Sequence, residues 1–251
     1  MAQSSQLVGR LSRLLRAVAG GPSDGVTTSD VARETELPRA TTHRLLESLA
    51  VEGLLDRDGA TGRWFLGPEL YVLGTRAASR FDVTREARGS VRRLAEATGE
   101  SAFFSVRRGD ETVVLLREDG AFPIRSFVLY EGARFPLGVV SAGLVVLAYL
   151  GDDEIDDYLR RADLTPQWSA THDAAAVRER IARTREAGWS VNPGLVVEGS
   201  WGMAAAVFDA AGAPRGALTL TGIESRFRPE RQGELGRLLL DEAHRLSRAL
   251  A

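Results

Sequence analysis

The stretch LPRATTHRLLESLAVEGLL, residues 37–55, constrains the fold more than any other part of the chain. A proline opens a helical pattern whose apolar face is Leu45, Leu46, Leu49 and Val51, yet its first two turns carry Arg39, Ala40, Thr41, Thr42, His43 and Arg44. Pro38 suits the first helical position, where a missing N–H costs no intrahelical bond, and Gly53 suits the C-terminal stop. Upstream, Leu7, Leu11, Leu14, Leu15 and Val18 recur at helical spacing until Gly20-Gly21-Pro22. Thr27-Thr28-Ser29-Asp30 then supplies an N-cap and an acidic first turn for a short helix ending near Glu36. Downstream, Leu54-Leu55, the turn-rich DRDGATG (56–62) and Arg63-Trp64-Phe65-Leu66 read as a two-stranded hairpin. Three helices and a hairpin within about 60 residues outline a winged helix-turn-helix.

In that arrangement the second helix of the motif lies in the major groove with its N-terminal residues on base edges. Arginine forks onto guanine O6 and N7, and threonine offers its methyl to thymine or its hydroxyl to phosphate. The candidate DNA contacts are therefore Arg39, Thr41, Thr42, His43 and Arg44, with Arg57 and Arg63 beside the hairpin tip, where a wing meets the backbone or minor groove. A helical hairpin with a merely solvated polar face is the competing reading. Glu36 falls in the turn, where glycine takes a left-handed conformation freely. Either Glu36 costs roughly 1 kcal/mol there, or the turn needs no positive φ. Residues 1–66 hold eight arginines against eight acidic residues. DNA affinity must then come from local clustering and from a second copy of the domain.

Pro68 to about Arg80 reads as a connecting helix with Leu70, Leu73 and Ala77 on one side, which divides the chain into 1–67, 68–80 and 81–251. Beyond it, the pattern predicts helices over about 83–98, 141–161, 173–187 and 229–250, and strands over about 101–107, 111–117, 124–129, 201–208 and 215–222. Arg108-Gly109-Asp110 and the segment Asp209 to Pro214 look like hairpin turns, so the second domain is expected to be α+β with a mainly antiparallel sheet. No apolar stretch is long enough to span a bilayer and no signal-like segment opens the chain, which places it in the cytoplasm.

Several chemistries find no support. The absence of cysteine removes disulfides, thiolate metal sites and cysteine nucleophiles. Ser141 lies in GVVSAG, which lacks the G-x-S-x-G spacing of a nucleophile elbow, and His43, His172 and His244 are scattered. The acidic run GDDEIDD (151–157) reads as a helix start rather than a cation site. No metal and no cofactor is expected. An enzymatic second domain, and an interaction module with a non-functional helix-turn-helix, stay as alternatives.

Taken in order, residues 37–55, RWFLGPELYVLG (63–74), ATGESAFFSV (97–106), FPLGVVSAGLVVLAYL (135–150), GWSVNPGLVVEGSWGMAAAVFDAAG (188–212) and GALTLTGIESRF (216–227) resemble the IclR family of bacterial transcriptional regulators. The resemblance runs from about Leu7 to the C-terminus. It implies an N-terminal winged helix-turn-helix, a linker helix and a GAF/PAS-like effector domain with an antiparallel sheet. It also implies homodimers or homotetramers on palindromic double-stranded operator DNA, and a small-molecule effector, an organic acid or aromatic compound. The matching effector positions are Ser141, Ala142, Asn192, Gly202, Met203, Thr219 and Thr221. A carboxylate suits neutral donors at a helix N-terminus, and the two threonines share one strand face. Equally, Ser141 caps its helix and the threonines are ordinary strand formers. Many members carry an acidic pair where this chain has Asn192-Pro193-Gly194-Leu195. Leu195, Val196 and Val197, with Phe103, Phe104, Phe127 and Trp201, suit an apolar or aromatic effector body, or are simply core.

Overall fold

The computed structural model describes residues 2–78 and 83–251, with side chains over 6–77 and 83–251. Two compact units divide the chain, Met1–Phe81 and Asp82–Ala251.

In the first unit, α1 (Ala2–Ala19), α2 (Thr28–Thr35) and α3 (Arg39–Val51) precede a hairpin of β1 (Leu55–Arg57) and β2 (Trp64–Leu66). The apolar positions of all three helices meet in one core, where Leu14, Val18, Val31, Leu46, Leu49, Leu55 and Trp64 are buried. Each such side chain contributes ~1.5–3 kcal/mol when it leaves water. Trp64 fastens the wing to the helices: its Nε1 donates to Thr28 Oγ1 at 2.9 Å, and its backbone exchanges two hydrogen bonds with Val26. Val51 departs from expectation at 85% exposure. It lies about 140° round the helix from Leu46, off the buried face. Pro38 caps α3 from just outside instead of occupying its first position.

α2 closes on Glu36, which is left-handed at φ 55°. The Glu36 N–H donates to the Arg33 carbonyl and the Leu37 N–H to the Ala32 carbonyl. This pair of bonds is a Schellman closure, which requires positive φ, so Glu36 holds a conformation that glycine adopts without strain. After the hairpin comes α4 (Pro68–Ala78). The expected end of the connecting helix at residue 80, and the expected start of the second domain at residue 81, lie outside the described residues.

The second unit runs α5 (Val83–Thr98), β3 (Ser101–Arg108), β4 (Glu111–Glu118), β5 (Arg134–Pro136), α6 (Ser141–Ala148), α7 (Asp152–Arg161), α8 (Thr165–Trp168), α9 (Ala174–Ala187), β6 (Ser190–Pro193), β7 (Ser200–Phe208), β8 (Pro214–Ile223) and α10 (Pro229–Leu250). The strands form one antiparallel sheet in the order β5-β4-β3-β8-β7-β6. Strand alternation sorts side chains into two cores. Ala102, Phe104, Met203, Ala205, Leu218 and Leu220 pack with α5 and α10. Phe103, Ala204, Ala206 and Ala217 pack with α6, α7 and α9. The unit is therefore α+β, with a helical layer on each face of the sheet.

Two expected elements change, and two short strands are added. The strand expected at 124–129 is irregular: Pro123 heads it without a ladder donor, and Arg125 and Ser126 instead bond Asp119 and Ser200. The helix expected over 141–161 is two helices, separated at Tyr149-Leu150-Gly151, with Asp152, Asp153 and Glu154 in the first turn of the second. β5 and β6, of three and four residues, are too short to show an alternation.

Glu100, in the turn between α5 and β3, is 2% exposed and is held by Arg226 Nε at 2.6 Å and Arg231 Nη1 at 2.7 Å. Glu100→Ala leaves those guanidiniums facing an emptied pocket and is expected to lower unfolding stability by about 3 kcal/mol in urea denaturation. Glu36→Gly is expected to stabilise the first unit by about 1 kcal/mol, read as slower amide hydrogen exchange across residues 28–51.

Candidate functional site

On α3, Arg39, Ala40 and Arg44 are exposed and Thr41 is half-buried. Neither arginine makes an ion pair among the described residues. These three polar residues, Arg39, Thr41 and Arg44, are therefore available on the exposed part of the helix start. Thr42 is a correction: it is wholly buried, and its hydroxyl donates to the Pro38 carbonyl at 3.2 Å, so it braces the first turn. His43 stands partly inward, with Nε2 3.2 Å from Glu47 Oε1 and its ring 6.2 Å from that of Trp64.

The wing arginines are also less free than the sequence suggested. Arg57 lies over the Trp64 ring at 5.2 Å and 3.8 Å from Glu47. Arg63 donates to the Gly25 carbonyl at 2.7 Å and sits 3.4 Å from Asp24. The wing tip between them is shaped by Asp58, whose carboxylate accepts from the Thr61 hydroxyl and from the Thr61 and Ala60 amides. Those bonds, led by the Thr61 hydroxyl, hold the Asp58 carboxyl below its usual range. Arg10, Arg13 and Arg16, not among the expected contacts, are exposed on α1 and make no ion pair among the described residues. Their three-residue spacing was the available signal.

In the second unit, the segment leading into α6 is held through its carbonyls. The Tyr158 hydroxyl donates to Leu137 O at 2.7 Å, Asn192 Nδ2 to Val139 O at 2.8 Å, and Ser190 Oγ to Ser141 O at 2.8 Å. The first α6 donor is Leu144 N–H on Val140 O, so the amides of Ser141, Ala142 and Gly143 make no backbone hydrogen bond. Beneath them lies a cleft of about 20 Å³ whose lining includes Leu129, Val140, Ser141, Asn192, Gly202 and Thr221, with no charged residue. That volume has room for a single water molecule. A Cβ on Gly202 would come within 3.0 Å of Ser141 Oγ, so the absence of a side chain there keeps the serine hydroxyl in place.

The hydroxyls of Thr219, Thr221 and Ser105 are buried and have no hydrogen-bond partner among the described residues. Such orphaned groups are uncommon in folded proteins and call for a reason. Ser105 was not singled out from the sequence, although it lies two residues along its strand from the inward-facing Phe103.

Other expected effector residues are placed differently. Met203 is buried among the residues facing α5 and α10, on the opposite side of the sheet, because it alternates with Gly202. Ser141 is the first residue of α6 and Val140 is the cap. The Ala142 side chain is in the core, leaving only its amide toward a ligand. Asn192 reaches the cleft, but its amide is already occupied by Val139 O and by the Leu195 N–H. Of the aromatics, Phe103 and Phe104 are core, Phe127 is 75% exposed, and Trp201 lines the cleft.

Four of the five acids of 152–157, all but Asp153, are engaged with arginines: Asp152 with Arg185, Glu154 with Arg107, Asp156 with Arg178, and Asp157 with Arg160 and Arg161. No cluster of three or more metal-binding side chains occurs among the described residues.

Comparison with known proteins matches both units. The model of the C-terminal domain of IclR bacterial transcriptional regulators matches residues 75–248, and that of the IclR helix-turn-helix domain matches residues 7–59. The chain is 28% identical over 230 residues to the HTH-type transcriptional regulator BhcR of Paracoccus denitrificans (strain Pd 1222), across 91% of this chain and 82% of that one. Its fold is similar to that of an IclR transcriptional regulator from Alicyclobacillus acidocaldarius, with a TM-score of 0.81 and 23% identity over 97% of this chain and 98% of the other. It is similar also to an IclR homologue from Microbacterium hydrocarbonoxydans solved with 4-hydroxybenzoate, with a TM-score of 0.75 and 24% identity over 96% and 99%. A helix-turn-helix with an unpaired arginine pair at its helix start thus precedes a sheet domain with a hydroxyl-lined cleft, and both parts match one family in sequence: the chain belongs to the IclR family of bacterial transcriptional regulators.

Proposed function

We propose that this regulator binds palindromic operator DNA as a homodimer or homotetramer in the cytoplasm, and that a small organic acid or aromatic compound in the α6 cleft alters that binding. The orphaned hydroxyls of Thr219 and Thr221 carry the reading. They lie on the face of β8 turned toward the start of α6, where free amides favour an anion. Neutral donors replace the charged partner that a carboxylate would otherwise require. The 4-hydroxybenzoate bound by the Microbacterium relative belongs to this ligand class. As the cleft has room for one water, the ligand enters by parting the 126–129 and 194–201 segments. These are joined across the mouth by the 2.5 Å Ser126–Ser200 hydroxyl contact.

The DNA reading rests on Arg39, Thr41 and Arg44, with Arg57 and Arg63 as partly engaged backbone contacts. The dimer reading is supported by apolar side chains uncovered in the single chain, Leu7 and Val8 on α1 and Tyr71, Val72 and Leu73 on α4. No helix among the described residues is long and apolar enough to cross a membrane. A non-enzymatic role is supported by His172, whose ring nitrogens stand 2.7 Å from Trp168 O and 3.3 Å from Val139 O, so that it acts as a brace and not as a base for Ser141.

Arg44→Ala is expected to weaken operator binding by about 1–3 kcal/mol, measured by fluorescence anisotropy on the DNA upstream of its own gene at two salt concentrations. An unchanged affinity would remove Arg44 from the interface. Thr221→Val is expected to keep DNA affinity and to melt at the same or a higher temperature, because it deletes an unsatisfied buried hydroxyl. The same change should weaken the response to the active member of a panel of aliphatic and aromatic acids by about tenfold. A lower melting temperature would mean that the hydroxyl has a structural partner, and the cleft assignment would fall.

A further inference from the structure

A second hollow, of about 420 Å³, lies at the β6 edge of the sheet. Its wall includes Arg180, Arg183 and Thr184 of α9, Trp189, Trp201, and Gln232 of α10, and no acidic residue. Arg180 is 7% exposed. Its Nε and Nη2 donate to the Ala176 and Thr171 carbonyls at 3.4 and 3.1 Å, while its Nη1 is buried without any partner among the described residues. Buried guanidinium groups are ordinarily paired with a carboxylate or phosphate, and this one has neither. Burial, reinforced by the nearby Arg183, pulls its pKa down, the direction expected of a cation lacking its counter-charge. Arg183 has only an exposed contact with Glu179, at 3.4 Å on its own helix.

The apolar part of the wall includes two indoles, with Leu144 and Val191 beside them. The ring of Trp189 packs so closely on α10 that a Cβ at Gly236 would lie 2.5 Å from it. The volume falls within the range of small-molecule sites.

We propose that this hollow binds a small organic anion, a carboxylate on a flat or apolar body, with Arg180 and Arg183 meeting the charge and Trp189 and Trp201 the body. The site is separate from the α6 cleft, which has no charged lining, and the proposal does not rest on the reading of that cleft. Trp201 lines both cavities, so an anion bound at the β6 edge presses on a wall of the effector cleft.

The test uses the full-length protein titrated with benzoate, followed by calorimetry and tryptophan fluorescence, with benzamide and benzylamine as neutral and cationic probes of the same shape. Four proteins are compared: wild type, Thr221→Val, Arg180→Gln and Arg183→Glu. Expected is a benzoate-dependent fluorescence change that survives in Thr221→Val and is absent with benzamide and benzylamine. It should weaken about tenfold or more in Arg180→Gln and in Arg183→Glu. Wild-type titration by folded Arg180→Gln and Arg183→Glu proteins overturns the proposal. Loss of the signal in Thr221→Val alone also overturns it, since the benzoate would then sit in the α6 cleft. Arg183 is exposed, so should Arg180→Gln fail to fold, unaltered binding by Arg183→Glu is sufficient to refute the site.

Discussion

Everything at the α6 cleft depends on three backbone carbonyls being held from outside it. Leu137, Val139 and Ser141 each offer their carbonyl to a side chain from another element, Tyr158 on α7 or Asn192 and Ser190 on β6. A trans peptide directs its C=O and its N–H to opposite sides, so fixing a carbonyl also fixes the amide that follows it. Of the amides at the helix start, that of Ala142 is thereby aimed without any contact on its own side, since it shares a peptide with the Ser141 carbonyl that Ser190 holds. Burial pushes the Tyr158 hydroxyl far up from its ordinary value, so it stays a proton donor at any physiological pH. The anchoring is consequently insensitive to acidity.

The DNA-binding unit solves a different electrostatic problem. Its acids and arginines balance, so attraction to a polyanion depends on which arginines the fold leaves unpaired. Asp24, Asp30 and Glu47 engage Arg63, Arg33 and Arg57, while Arg39 and Arg44 on α3 and Arg10, Arg13 and Arg16 on α1 keep their full charge exposed. A neutral domain thus acquires local basic surface by pairing selectively. The absence of lysine makes every one of these cations a planar fork suited to phosphate or guanine.

Much of this was legible in the sequence, and the failures have identifiable physical causes. Helical spacing located the core of the first unit, and Thr219 and Thr221 were placed on one face by strand alternation alone. The same alternation excludes Met203, which only the family resemblance implied, because it and Gly202 are neighbours in a strand and face opposite ways. β5 and β6 escaped because three or four residues show no period. The 124–129 segment has strand-like composition but lacks a partner strand, and only tertiary contacts decide that. Glu36 shows tertiary context overriding local preference, since closure of the helix-turn-helix outweighs its conformational strain. Arg180 was readable in principle: Val177, Arg180, Ile181 and Thr184 repeat at helical spacing and are all buried, so an arginine stood in an inward row.

The unpartnered threonine hydroxyls carry a consequence for how such a regulator diversifies. Among the described residues, neither the Thr219 nor the Thr221 hydroxyl makes a hydrogen bond, so exchanging either hydroxyl for a methyl group takes none away from the fold. Under the proposed reading, valine in place of Thr221, which lines the cleft, would change what the cleft recognises without costing the sheet a hydrogen bond. On that reading recognition and foldability rest on different groups, and a single substitution at Thr221 would alter the first while leaving the hydrogen bonds of the second in place.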